Sequence, residues 1–67
     1  MKFRLNNNNE HYDGDKLTVN ELLEFKKYTF KMLVIKINGK IIRRDEYDSA
    51  VINDGDDVLV IHLMSGG

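Results

Sequence analysis

The chain has 67 residues, 42% of them hydrophobic and 31% charged, with a net charge of −1 and no cysteine. This length allows one small domain with an efficient core, and the composition argues against disorder in its body. The absence of thiols excludes a disulfide framework, a thiolate nucleophile and a thiolate zinc site. The charge balance offers no basic field for nucleic acid. No apolar run reaches the roughly 20 residues of a membrane span and no signal-like segment opens the sequence, so a cytoplasmic protein is expected.

Met1, Phe3 and Leu5 alternate with Lys2 and Arg4, the period-2 pattern of a half-buried strand. Asn6-Asn7-Asn8-Asn9 reads as a hairpin loop, because asparagine tolerates positive φ, and residues 10–13 read as a short return strand closed by Asp13-Gly14-Asp15. Thr18 and Glu21 form a capping box, and Leu17 and Leu22 occupy the staple positions across it. Val19, Leu22, Leu23 and Lys26 then share one helical face, with Lys26 snorkelling at its end. Without a glycine stop, the helix is expected to end near Lys27 or Tyr28.

Residues 32–38 are rich in β-branched side chains and read as a central strand. Lys36 sets its phase: Leu33, Ile35 and Ile37 inward, Val34 and Lys36 outward. Asn38-Gly39 is a strong hairpin signal leading to a short strand at Ile41-Ile42. Residues 44–54 read as an irregular connection anchored by Tyr47, Val51 and Ile52, and residues 58–64 as a last apolar strand. The order β-β-α-β-β-β leaves one helix, which must pack on one face of a mixed sheet of four to five strands. That is an α+β, ubiquitin-like β-grasp fold, with a body over residues 1–64 and a flexible tail over 65–67.

Catalytic groups are scarce. His11 and His62 lack partners at metal-ligand or triad spacing, Ser65 lacks a base, and Lys26-Lys27 and Arg43-Arg44 read as solvated surface. Asp54, Asp56 and Asp57 lack the alternating spacing and closing glutamate of a calcium loop, so they read as a turn. The last strand runs directly into Gly66-Gly67. This pair reads either as an inert frayed end or as a substrate for another enzyme. Glycine can thread a narrow channel, and four extended residues reach about 13–14 Å beyond a sheet. A carboxylate is a poor electrophile; transfer to AMP supplies a leaving group that a sulfur nucleophile can replace.

Ile37-Asn38-Gly39-Lys40-Ile41-Ile42, Glu46-Tyr47, Asp54-Gly55-Asp56, Val58-Leu59-Val60-Ile61-His62 and Gly66-Gly67 stand at spacings that resemble the ThiS-type sulfur carriers of thiamin biosynthesis. The resemblance runs in register over residues 34–67 and more loosely over 1–5 and 18–23. It implies a β-grasp protein that is not itself an enzyme and binds no cofactor. In such a protein a ThiF-type, E1-like adenylyltransferase uses ATP to adenylate Gly67, with Gly66 as the second half of the motif. The adenylate becomes a thiocarboxylate with sulfur from a donor enzyme, and a ThiG-type thiazole synthase takes that sulfur. Three departures stand out: the asparagine tract in place of a tighter first hairpin, Lys26-Lys27-Tyr28 where glycine commonly ends the helix, and Ser65 before the glycine pair. Alternatives are a MoaD-type molybdopterin synthase subunit, a ubiquitin-like protein modifier, and an interaction domain with an inert tail.

The strand phase also suggests where partners dock. With Val58 and Val60 inward, Leu59, Ile61 and Leu63 fall on the outer face beside Val34, and the patch continues through Met64 and Ser65 into the tail.

Overall fold

The computed structural model describes residues 1–29 and 32–63. The chain opens with an antiparallel hairpin, β1 (Lys2–Leu5) and β2 (Asn8–His11), in which Leu5 faces Asn8 across a two-residue turn. Asn6 and Asn7 occupy that turn with φ of 51° and 68°, the paired positive values that match the strands' right-handed twist. The return strand therefore starts two residues earlier than the asparagine tract suggested, and the first hairpin is tight after all.

A short strand, β3 (Lys16–Thr18), leads into helix α1 (Val19–Phe25). Thr18 Oγ1 accepts the N–H of Glu21 at 3.1 Å, and Glu21 Oε1 accepts the N–H of Thr18 at 2.8 Å, completing the capping box. The first two helical N–H groups, of Val19 and Asn20, donate to the carbonyls of Ala50 and Tyr47. Leu17 and Leu22, the two staple residues, are both buried. The helix stops at Phe25, earlier than expected, because Lys27 takes the left-handed conformation at φ 57°. Its N–H donates to Glu24 and that of Tyr28 to Leu23, so the end is a Schellman turn built without glycine. A lysine there carries about 1 kcal/mol of steric cost that glycine would avoid.

Strand β4 (Leu33–Ile37) turns through Asn38-Gly39 into β5 (Lys40–Ile42), again with two positive φ values. The stretch read as irregular holds a 3₁₀ turn at Arg44–Glu46 and a further strand, β6 (Val51–Asn53). β6 pairs antiparallel with β3 in a separate two-stranded ribbon, an element absent from the sequence reading. Ile52 is buried and Tyr47 packs on the core as expected, whereas Val51 is only half-buried and Ala50 joins the core beside it.

The last strand, β7 (Asp57–His62), lies at the centre of a five-stranded sheet ordered β2-β1-β7-β4-β5. It runs parallel to β1 and antiparallel to β4, so the sheet is mixed and the fold is the α+β β-grasp arrangement. Phe3, Leu5, Ile35, Val58 and Val60 face α1 from the sheet and meet Val19 and Leu22 in one core. Each fully buried aliphatic side chain there contributes about 1.5–3 kcal/mol. The expected division between a body ending at residue 64 and a tail over 65–67 falls outside the described residues, as do Met64 and Ser65.

Candidate functional site

β7 is the strand that leads to the C-terminal residues, and both of its neighbours fasten it. On one side, the N–H groups of Arg4 and Asn6 donate to the carbonyls of Asp56 and Val58, each at 2.9 Å. The chain then turns away at Asn6, and the ladder continues through its side chain: Val60 N–H donates to Asn6 Oδ1 at 2.8 Å. On the other side, Asn38 N–H donates to the Asp57 carbonyl at 2.7 Å, and Asp57 N–H donates to Asn38 Oδ1 at 2.9 Å. Two asparagines in left-handed turns thus extend the backbone pairing of β7.

The side chains of β7 alternate as its phase demands. Val58 and Val60 are buried at 0% and 9% exposure, whereas Ile61 and Leu63 stand 43% exposed on the outer side. Val34 faces Ile61 directly across the β4–β7 ladder, and Leu59 faces Lys36. Val34, Leu59 and Ile61 therefore share the sheet face opposite α1, and the N–H of Leu63 donates to the Met32 carbonyl at 2.9 Å at its end. The sequence reading missed Ile41, which is 58% exposed and faces Lys36 across the β4–β5 ladder. The signal was present: a two-residue turn at Asn38-Gly39 places residue 41 opposite residue 36, which was already assigned outward.

The aspartates of residues 54–57 act as turn groups. Asp54 Oδ1 accepts the N–H of Lys2 at 2.7 Å, and Asp56 accepts from the N–H of Asn53 and from Asn38 Nδ2. Among the described residues, no group of three or more His, Asp or Glu side chains is placed to hold a metal ion. His11 Nε2 lies 3.9 Å from Asp13 Oδ1 in an exposed pair. Lys26, read as solvated surface, is instead partly covered: its Nζ lies 2.6 Å from Glu10 Oε2, and this hydrogen bond holds its pKa above the ordinary 10.5. Edge-to-face contact of Tyr12 on Phe25, with centroids 5.2 Å apart, closes the same junction between hairpin and helix. Gly66 and Gly67 lie outside the described residues.

No helix among the described residues is long and apolar enough to cross a membrane. The sequence profile of the ThiS family matches residues 3–67. A crystal structure of a thiamine biosynthesis protein (ThiS) from Geobacter metallireducens is similar over all of both chains, with 30% identity and a TM-score of 0.88. A solution NMR structure of a thiamine biosynthesis protein from the same organism, also 30% identical, is similar over 100% of this chain and 88% of that one, with a TM-score of 0.79. No curated protein matches the sequence at a significant level.

Proposed function

Because the chain belongs to the ThiS family of sulfur carrier proteins, we propose that it carries sulfur for thiazole formation on the carboxylate of Gly67. The observation that carries this reading is the reach of the family match, which runs to Gly67 and so includes the Gly66-Gly67 pair. The chemistry then follows in two displacements. The Gly67 carboxylate attacks the α-phosphate of ATP held by an E1-like adenylyltransferase, forming an acyl-adenylate and releasing pyrophosphate. Hydrosulfide, or its equivalent released by a donor enzyme, attacks the acyl carbon, AMP leaves, and a thiocarboxylate results. The thiocarboxylate sulfur attacks the substrate of a thiazole synthase, and water then cleaves the acyl–sulfur bond, which leaves the sulfur on that substrate and restores the Gly67 carboxylate. ATP is the partner's substrate, and the chain acts in the cytoplasm as a cosubstrate rather than a catalyst.

The outer face of β7 and β4 supports a docking role in this scheme. Val34, Leu59, Ile61 and Leu63 form an apolar surface on the strand that precedes the tail, so one partner can hold the body and receive Gly67 together. Met64 and Ser65, which follow Leu63 in the sequence, are proposed as part of the same partner contact. Intact-mass measurement after incubation with ATP, a sulfur source and the host's activating enzyme tests the proposal. A sulfur carrier gains the increment of one oxygen-to-sulfur exchange; an unchanged mass, or a chain joined to another protein, contradicts it.

A further inference from the structure

β5 lies at one side of the sheet, and no described strand pairs with its outer edge. The two-residue turn makes Ile37 and Lys40 a hydrogen-bonded pair, and alternation along an antiparallel ladder then turns the N–H and C=O of Ile41 toward that open edge. Beside the edge runs a groove of about 530 Å³, bounded by β4, β5, the first turns of α1 and Tyr47. Its floor is apolar, with Leu23, Leu33, Ile42 and Tyr47 packed on the core below and lining the groove above. Its rim carries Arg43 and Arg44, and among the described residues no Asp or Glu side chain lines it. Arg43 meets only the exposed Asp45, at 3.1 Å, and Arg44 makes no ion pair among the described residues. Val34 and Leu63 also line the groove, so it is continuous with the outer-face patch.

We propose that this groove receives a short extended segment of a partner enzyme, with apolar side chains flanked by carboxylates. The inference rests on the reading above, that the chain presents its C-terminus to partner enzymes. Three features select this occupant. The apolar floor favours side chains that leave water, and two exposed guanidinium groups, Arg44 and an Arg43 that holds only the solvent-exposed carboxylate of Asp45, favour planar carboxylates. The backbone opening is one residue wide, because the N–H of Arg43 donates to Glu46 Oε1 and its carbonyl accepts the N–H of Glu46. The segment is therefore held by side chains more than by an added strand. A partner gripping both the outer patch and this groove holds the body around the β5 edge, beside the end of β7.

The R43E/R44E variant tests this, because both side chains are exposed and the variant is expected to keep the wild-type amide spectrum. Association of the full chain with the adenylyltransferase and with the thiazole synthase is measured at low and high salt. For at least one of them the association rate should fall about tenfold at low ionic strength and lose most of its salt dependence. The amide resonances of Leu23, Ile42 and Tyr47 should shift when the wild-type chain binds that enzyme. Unchanged rates with both enzymes, or a groove whose resonances do not move, would overturn the proposal. Sulfur loading of the wild-type chain is scored separately. Groove-dependent binding without loading counts against the carrier function alone, and normal loading with indifferent arginines counts against the groove alone.

Discussion

Asn6 replaces its own backbone. Its carbonyl is carried away by the left-handed turn, and its side-chain oxygen takes the N–H of Val60 that the carbonyl would otherwise have accepted in a parallel ladder. Alanine at this position removes the acceptor and also sits poorly at φ 51°. Asn6→Ala should therefore cost about 2 kcal/mol, the combined effect of an unmade partly buried hydrogen bond and a strained turn. Asn6→Asp keeps an acceptor and should cost less. Urea unfolding monitored by circular dichroism checks both, with the midpoint falling and the slope unchanged; equal stability for Asn6→Ala would show that the side-chain bond contributes nothing. Residue chemistry made the tract legible as a turn. Which two of the four asparagines turn was not legible, because that depends on the register with β2.

Between elements, the first hairpin is tied to the end of α1 by Glu10 and Lys26. The hydrogen bond from Lys26 to Glu10 raises the lysine pKa above 10.5, with desolvation acting against it. A lysine whose folded pKa is raised contributes its full stabilisation below the unfolded value and loses it as pH rises through the folded one. The melting temperatures of wild type and Glu10→Gln should thus differ near neutrality, by the equivalent of about 1 kcal/mol or less, and converge in alkali above 10.5. A difference that persists there would assign the effect to packing. Face assignment is the second test at this scale. Val60→Glu places a charge in the core and should unfold the domain. Ile61→Glu, on a side chain 43% exposed, should leave it folded and weaken partner binding. The reverse pattern in thermal melts would contradict the observed phase. Lys36 made that phase readable in the sequence, since one charge in an apolar strand orients all its neighbours. The β3–β6 ribbon was unreadable, because three-residue strands carry no periodicity and their pairing joins residues 16–18 to 51–53.

For the molecule as a whole, local sequence patterns and long-range topology were legible to different degrees. Spacing made the helix cap, the Asn38-Gly39 turn and the glycine pair legible, since each is a local pattern. Ile41 and the groove beside Arg43 and Arg44 were not, because they arise only when β5 closes the sheet and the 44–54 segment folds behind it. Among the described residues the buried core lies between Phe3 and Val60, and a change at Gly67 leaves every one of those side chains in place. Deleting Gly67, or extending the chain beyond it, should abolish thiocarboxylate formation while shifting the unfolding midpoint by no more than about 0.5 kcal/mol, as for a surface change. Intact mass reads the first outcome and a urea melt the second. Ordinary sulfur loading of a chain whose C-terminus is blocked would refute the assignment of Gly67, because adenylation requires a free carboxylate on the residue that becomes the acyl donor.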